Sequence, residues 1–227
     1  MTEWISRTQL LLKEESIRKL ENSSVCIFGI GGVGSFAAEA IARCAVGHII
    51  LVDGDDIALS NINRQIHSTT KTVGQPKVEI MANRIKEINP SAKIDTFKIF
   101  YKNSAIKDVF FQHTDYIIDA IDDIEAKTNL INEAYKNSIP IISAMGAANK
   151  LDPTKFKVAD IYSTSIDPVA RIMRKNLRAL GIEQLKVVYS KEPPIISDGL
   201  GSVSFTPSVM GLILAGEVIK DLIFGKI

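Results

Sequence analysis

A glycine-rich turn between two apolar segments restricts the fold of this chain more than any other feature. The first apolar segment begins at Val25, and the turn that follows holds four glycines within six positions: Gly29, Gly31, Gly32 and Gly34. Small residues at 35–44 come next, and a second apolar segment at 49–52 leads into Asp53. This order predicts a strand, a helix and a second, parallel strand, with a turn that brings the backbone close to a bound nucleotide.

Strand-like and helix-like segments alternate along the remaining sequence. Further strands are predicted at 93–100, 116–119, 140–143, 155–161 and 185–189. Helices are predicted at 6–22 (as one or two helices), 35–44, 77–88, 104–111, 125–137, 168–180 and from about 207. The alternation predicts one α/β domain with a doubly wound, mostly parallel, Rossmann-like sheet covered by helices on both faces. We expect the segment after residue 147 to form a C-terminal substrate-binding extension.

Composition excludes several classes of protein. With 227 residues, of which 46% are hydrophobic, the chain can bury a sizeable core. The net charge of +1 means that any nucleic-acid contact depends on a local basic patch. The two cysteines, Cys26 and Cys44, are too few for a disulfide framework or for paired Cys-x-x-Cys zinc sites. The apolar segment 209–224 is interrupted by charges and too short to span a bilayer, so no membrane association and a cytoplasmic location are expected.

The glycine turn and the acids after the second strand predict a nucleotide site. Glycine permits positive φ and close backbone approach, and the helix that follows directs its first amides towards negative charge. Asp53 is placed to accept hydrogen bonds from both ribose hydroxyls. Asp55, two residues later, is a candidate for the same role or a solvated loop acid. These features suit NAD as well as ATP, so a dehydrogenase is an alternative at this point.

The next polar group favours ATP. It consists of Asn61, Asn63, Arg64, Gln65 and Lys77. When a carboxylate attacks the α-phosphate of ATP, charge increases on the phosphate oxygens, and fixed cations stabilise it. Arg64 offers a planar fork suited to phosphate, and Lys77 offers a point charge at the start of a helix. The alternative is a pair of solvated loop cations.

A further carboxylate is predicted at the same edge of the sheet. Asp122 follows the buried strand at 116–119, where a side chain can hold magnesium beside phosphates. Asp119 and Asp123 are alternatives for this role, or caps of the helix that follows. We favour Asp122 as the magnesium ligand.

Taken together, these motifs resemble the ubiquitin-activating-like, ATP-dependent adenylyltransferases. The shared motifs are Gly-Ile-Gly-Gly-Val-Gly (29–34), Asn-Ile-Asn-Arg-Gln (61–65), Gly-Gln-Pro-Lys (74–77) and Asp-Ala-Ile-Asp-Asp (119–123). The resemblance implies a single ThiF-like adenylation domain with an ATP-binding core at 1–147 and an extension at 148–227. It implies these ATP-site residues: Gly31, Asp53, Asn61, Arg64, Gln65, Lys77 and Asp122. It also implies a homodimer in which an N-terminal arginine, matched here by Arg7, enters the partner's ATP site.

Other motifs resemble one branch, the tRNA threonylcarbamoyladenosine dehydratases. They are Asn-Arg-Gln-Ile-His (63–67), Ile-Asp-Ala-Ile-Asp (118–122), Ala-Asn-Lys-Leu-Asp-Pro-Thr (148–154) and Asp-Pro-Val-Ala-Arg (167–171). The resemblance implies adenylation of the threonyl carboxylate of that nucleoside in tRNA, followed by cyclising dehydration. The resemblance also suggests that a monovalent cation binds near 145–150. It leaves open whether a cysteine desulfurase or another sulfur-acceptor protein is a partner.

The missing cysteines separate the remaining alternatives. Enzymes that activate the C-terminal glycine of a sulfur-carrier or ubiquitin-like protein usually have zinc-binding cysteine pairs, and this chain has none. Ring closure needs no enzyme thiol, because the attacking urea group is tethered to the activated carboxylate. A carrier-protein adenylyltransferase is the main alternative, and a non-catalytic nucleotide sensor is another.

A basic helix is the candidate tRNA surface. Four cations share a broad face of this helix, because most of them are three or four residues apart. They are Arg171, Arg174, Lys175 and Arg178. Lys186 and Lys191 follow in sequence. Such a face suits contacts with phosphates, although a solvated amphipathic helix has the same pattern.

Overall fold

The computed structural model describes residues 3–101, 111–195 and 198–225, and in these ranges seven strands form one sheet. The strands are β1 (Ser24–Phe28), β2 (His48–Val52), β3 (Lys93–Phe97), β4 (Tyr116–Asp119), β5 (Ile141–Ala144), β6 (Phe156–Asp160) and β7 (Lys186–Ser190). Their order across the sheet is β3-β2-β1-β4-β5-β7-β6. The pairing is parallel except between β6 and β7. The prediction of a mostly parallel sheet is therefore confirmed.

Helices cover both faces of this sheet, as the sequence predicts. The described ranges contain six α-helices: α1 (Ser6–Glu21), α2 (Gly34–Arg43), α3 (Lys77–Ile88), α4 (Ile124–Lys136), α5 (Pro168–Ala179) and α6 (Phe205–Phe224). Val25 and Ile27 of β1 point into the core shared with α1, α2, α3 and α6. Cys26 and Phe28 point to the opposite face, which α4 covers. Because strands of a doubly wound sheet are buried on both sides, β1 is apolar at successive positions.

Element boundaries differ from the prediction in a few places. β3 ends at Phe97 instead of residue 100, because the Ile99 amide turns back and donates to the Phe97 carbonyl at 3.0 Å. α1 contains a kink at Lys13, where φ is 71°, so the choice between one helix and two is settled as two segments that meet there. The helix predicted at 104–111 lies almost entirely outside the described residues.

The C-terminal helix α6 is a core element. It buries Met210, Leu214 and Val218 among others, and it packs on α2. A Cβ on Gly211 would lie 2.2 Å from the Val33 carbonyl oxygen, so this close approach requires glycine. Within the described ranges, no helix is both long enough and apolar enough to cross a bilayer.

Candidate active site

A cavity of about 1020 Å³ opens at the carboxyl ends of β1, β2, β4 and β5. It lies where the strand order reverses between β1 and β4, the place where open α/β sheets bind ligands. Most of the predicted site residues line it: Gly29, Gly31, Gly32, Asp53, Asp55, Asn61, Arg64, Gln65, Lys77 and Asp122. Three residues predicted for the nucleotide site do not line it: Gly34, Asn63 and Arg7.

The glycine turn has the geometry that its sequence predicts. Gly29 has a φ of +85°, and a Cβ there would lie 2.6 Å from the Ala120 carbonyl oxygen. A Cβ on Gly34 would lie 1.8 Å from the Gly29 carbonyl oxygen. Gly34 is therefore needed to pack the start of α2 against the turn, whereas Gly31 and Gly32 present their backbone to the cavity. The N-terminus of α2 directs partial positive charge towards this region.

Asp53 joins the glycine turn to the loop after β2. One of its oxygens accepts a hydrogen bond from the Ile30 amide at 2.6 Å, and the other accepts one from the Asp55 amide at 2.8 Å. Burial is the main cause that raises the pKa of Asp53 above its usual value, although Lys77 acts in the opposite direction. Each carboxylate oxygen has a second lone pair, so both can still accept a hydrogen bond from a hydroxyl group.

Lys77, the first residue of α3, extends into the same part of the cavity. Its Nζ lies 2.6 Å from Oδ2 of Asp55 and 3.9 Å from Oδ1 of Asp53. The lysine side chain is 7% exposed, whereas that of Asp55 is 50% exposed. Since the Asp55 carboxylate is half-exposed to solvent, a bound phosphate can share or replace its contact with the ammonium group.

Arg64 is held at one end of its guanidinium group. Its Nη1 donates to the Ser60 carbonyl and to Oδ1 of Asn63, both at 2.9 Å. Among the described residues, Nε and Nη2 have no acceptor, so they are available to an anion in the cavity. Asn63 itself does not line the cavity, and its side-chain amide donates to the Ser202 carbonyl at 3.1 Å.

The three acids after β4 have separate environments. Asp119 is fully buried and pairs with Lys127, and Asp123 caps α4 by accepting from the Ala126 amide at 2.7 Å. Asp122 is exposed and lines the cavity. Among the described residues its carboxylate has no hydrogen-bond or ion-pair partner, whereas Asp123, which also lines the cavity, uses Oδ1 to cap α4.

The donor set at Asp122 fits magnesium bound together with phosphates. No group of three or more His, Cys, Asp or Glu side chains that could hold a metal ion occurs in the part of the chain that the structure describes. Magnesium typically takes one or two carboxylates and completes its shell with water and phosphate oxygens. A carboxylate without a partner among the described residues, on a cavity large enough for a nucleotide, matches that pattern.

Sequence reasoning missed Lys127, which also lines the cavity. Its side chain is 2% exposed, and its Nζ donates to Asp119, Ser143 and the Ala144 carbonyl. The spacing of Lys127 with Leu130, Ile131 and Ala134 places it on the apolar face of α4, a signal that could have identified it as a buried cation.

Other lining residues were not predicted either. Phe100 lies against Gly54, where an added Cβ would be 2.6 Å from the ring. Residues 144–148 line the opposite wall, and Leu200 and Ser202 come from the loop before α6. Their contribution depends on loop paths, which leave no periodic pattern in the sequence.

The basic helix α5 starts next to the cavity. Its N-cap Asp167 accepts from the Ala170 amide and from the Gly146 amide of the cavity wall, both at 3.1 Å. Burial is the main cause that raises the pKa of Asp167 above its usual value. The helix is therefore joined to the cavity by one carboxylate.

The cations predicted on α5 have different surroundings. Arg171 and Lys175 are exposed, and the Arg178 guanidinium lies 5.0 Å from the centre of the Tyr162 ring. Arg174 is half-buried and donates to the Thr164 carbonyl at 3.2 Å. Three of the four predicted cations are thus open to solvent. Lys186 instead pairs with Asp221 and Glu217 of α6.

Arg7 lies on α1 and is exposed, away from the cavity of its own chain. Leu10 and Leu11, on the same helix, are 77% and 79% exposed. The described residues therefore leave an arginine and two leucines of α1 open to solvent.

Comparisons with known proteins extend over nearly the whole chain. Residues 5–226 match the ThiF family. The chain is 44% identical, over 243 aligned positions, to the tRNA threonylcarbamoyladenosine dehydratase of Bacillus subtilis (strain 168), with coverage of 98% of this chain and 96% of that protein. It also matches the structure of E. coli tRNA N6-threonylcarbamoyladenosine dehydratase, TcdA, in complex with AMP, at 33% identity and a TM-score of 0.91. The ATP complex of that enzyme matches at 32% identity with a TM-score of 0.91, and each alignment covers 98% of this chain and 96% of the other.

Proposed function

This chain belongs to the ThiF family and, within it, to the tRNA threonylcarbamoyladenosine dehydratases, and we propose that it uses ATP to adenylate the threonyl carboxylate of threonylcarbamoyladenosine in tRNA. Cyclising dehydration then gives cyclic threonylcarbamoyladenosine and AMP. One observation carries this proposal: a glycine turn, Asp53, Arg64 and Lys77 share one cavity in a chain that aligns with a named dehydratase over 98% of its length.

Arg64 and Lys77 are the proposed catalytic cations. A carboxylate oxygen of the substrate forms a bond to the α-phosphorus, while the bond to the bridging oxygen of pyrophosphate breaks. Negative charge grows on the phosphate oxygens during this step, and preorganised cations in a sheltered cavity stabilise it. The free Nε and Nη2 of Arg64 and the nearly buried ammonium of Lys77 support these roles.

The remaining nucleotide contacts are assigned to cavity residues whose lone pairs or N–H donors have no partner among the described residues. Asp53 would accept the ribose hydroxyls, with Asp55 beside it, and the backbone of 29–32 would enclose the phosphates. Oδ1 of Asn61 and Oε1 of Gln65 already accept hydrogen bonds within the chain, so their amide nitrogens are the groups left to bind phosphate. Gly34 and Asn63 would act indirectly, through packing of the turn and through the contact with Ser202.

Asp122 is the residue that would hold magnesium. When bound, the ion neutralises charge on the phosphates of ATP and on the departing pyrophosphate. We also propose a monovalent cation near 145–150, because this loop forms one wall of the cavity. Its test is the rate of AMP formation in potassium, sodium and choline salts.

Ring closure requires no sulfur from the enzyme. A urea nitrogen or oxygen of the adenylated substrate attacks the carbonyl carbon of the activated carboxylate, the urea group loses a proton, and AMP leaves as that bond forms. Neither Cys26 nor Cys44 lines the cavity, and burial raises the pKa of both thiols. A cysteine desulfurase would therefore be an accessory partner and no part of this reaction.

The exposed face of α5 is the proposed tRNA surface. Arg171, Lys175 and Arg178 can contact phosphates, which sets the orientation of the tRNA. The N-cap Asp167 holds this helix beside the cavity wall at Gly146. A tRNA bound along α5 would therefore present its modified nucleoside near the nucleotide.

A homodimer in the cytoplasm is the proposed working form. Arg7 does not line the cavity of its own chain, which fits a role in the partner's site. The exposed Leu10 and Leu11 on the same helix supply apolar area for such an interface. Sedimentation of wild type and Leu10→Lys/Leu11→Lys would test it, with a shift to monomer expected for the variant.

The activity is tested directly with purified protein. The protein is incubated with ATP, magnesium and tRNA that carries threonylcarbamoyladenosine, and the digested nucleosides are analysed by mass. We expect loss of one water from that nucleoside and stoichiometric AMP, with unmodified tRNA as the control. Absence of the dehydrated nucleoside would contradict the proposal, and pyrophosphate exchange that requires a carrier protein would support the adenylyltransferase alternative.

A further inference from the structure

A buried ion pair lies beneath the wall of the cavity, between α4 and the ends of β4 and β5. Nζ of Lys127 lies 2.7 Å from Oδ2 of Asp119, 3.2 Å from Oγ of Ser143 and 2.9 Å from the Ala144 carbonyl oxygen. The Ser143 hydroxyl also donates to Oδ2 of Asp119, at 2.5 Å. The three protons of the ammonium group therefore each have an acceptor.

This ion pair is joined to the loop that carries Asp122. The second carboxylate oxygen of Asp119 accepts a hydrogen bond from the Ile121 amide at 3.1 Å. Ile121 immediately precedes Asp122 in sequence. On the other side, Lys127 holds the carbonyl of Ala144, the residue from which the wall at 145–148 begins. One ammonium group thus connects the loops that follow the neighbouring strands β4 and β5, and both loops line the cavity.

Stability alone does not account for charges at this position. The side chains of Lys127 and Asp119 are 2% and 0% exposed. Removing two charges from water costs several kcal/mol per ion, and apolar replacements of similar volume are often as stable or more stable. A hydrogen-bonded ion pair does, however, restrict the geometry of the loops that it connects.

We propose that Lys127 is a positioning residue which, through Asp119 and the Ile121 amide, orients the Asp122 carboxylate towards the metal bound with ATP. This inference rests on the role of Asp122 in the proposed function. It requires no contact between Lys127 and the reacting atoms. Partners that orient a metal ligand typically change metal affinity or activity by about 10- to 100-fold when they are removed.

The test measures ATP affinity by calorimetry with magnesium and with EDTA, in the absence of tRNA. The variants are Lys127→Met/Asp119→Val, which removes both buried charges together, and Ser143→Ala, which removes one hydroxyl. Lys136→Met is the matched control, because Lys136 is on the same helix but exposed and pairs only with Glu133 among the described residues. Asp122→Asn gives the loss expected when the ligand itself is changed.

We expect the double variant to lose about tenfold of the affinity gain that magnesium provides, with ATP affinity in EDTA nearly unchanged. Ser143→Ala should show a smaller loss of the same kind, and Lys136→Met none. An unchanged magnesium gain in a folded double variant would overturn the inference, and so would an equal loss of ATP affinity with and without magnesium. If the double variant does not fold, the same criteria applied to Ser143→Ala decide the matter.

Failure of this inference is distinguishable from failure of the proposed function. A wild-type protein that dehydrates its tRNA substrate while the variants keep the magnesium gain would retain the function and lose the positioning role. If the variants lose the affinity gain from magnesium but the wild-type protein never dehydrates tRNA, the positioning role is supported and the proposed function fails.

Discussion

The cavity and helix α5 both carry basic side chains, but they hold them in different ways. In the cavity, the side chains of Lys77 and Lys127 are 7% and 2% exposed, and each pairs with a carboxylate. On α5, Arg171 and Lys175 are exposed to solvent. Buried charges with fixed partners are preorganised and weakly screened by salt, whereas interactions of exposed charges are largely screened beyond about 10 Å at 0.1 M salt. The cavity is therefore suited to chemistry and α5 to attraction of a polyanion.

The largest expected effect comes from Lys77→Ala. Loss of one preorganised donor to the developing charge should reduce turnover by about 10³-fold, or roughly 4 kcal/mol. Because the ammonium group is nearly buried, the loss should be similar at 50 and 200 mM salt, as measured by AMP release. Lys71→Ala, at an exposed position before α3, is the control. A loss that disappears at high salt would contradict the contrast between the two regions.

The next effect concerns acid stability. His67 is 3% exposed, neither ring nitrogen has a hydrogen-bond partner among the described residues, and burial together with Lys77 and Arg84 lowers its pKa from 6.5 to about 4. The unfolded chain therefore binds a proton at higher pH than the native protein does. Protonation of His67 therefore does not reduce the free energy of unfolding above pH 6.5, and it reduces that free energy by up to about 3 kcal/mol as the pH falls to about 4.

Unfolding by urea at a series of pH values tests this expectation. His67→Phe should lack this part of the pH dependence, while His113→Phe, at an exposed position, should retain it. Identical pH profiles for His67→Phe and wild type would show that the buried imidazole does not destabilise the protein in acid.

Arg64→Ala should lower turnover by about 10²-fold, somewhat less than Lys77→Ala, because Arg64 is only half-buried. Arg64→Lys keeps the charge but not the planar fork, so it should recover part of the activity. Steady-state AMP formation with saturating tRNA provides the measurement. Full activity in Arg64→Ala would remove this residue from the catalytic group.

The smallest effect is expected on α5. Arg171→Ala should weaken tRNA binding a few-fold and reduce the slope of log K against log salt by about 1, with ATP affinity unchanged. Arg174→Ala should reduce the slope less, because its guanidinium group already donates to Thr164. Binding titrations at several salt concentrations test both variants. Equal slopes for Arg171→Ala and wild type would exclude Arg171 from the tRNA surface.

Much of the fold and part of the site could be predicted from sequence. The glycine spacing at 29–34 and the apolar run before Asp53 are local patterns, and local patterns identify a β-α-β unit reliably. Ten of the residues predicted for the nucleotide site line one cavity, and parallel strands that end at the same edge of a sheet help to bring them together. The sequence did not predict Phe100, Leu200 or Lys127, since long-range loop paths and a buried ion pair place them there.

The amino-acid sequence by itself determined the order of strands and helices, the phosphate-compatible turn and the supply of cations, because these depend on backbone propensity and short spacing. Tertiary structure decided which charges are available. It paired Asp119 with Lys127, engaged Asp123 as a cap and left Asp122 open, although the three acids are near neighbours in sequence. The physical reason is that burial and partner geometry, which sequence spacing does not encode, set the cost of each charge.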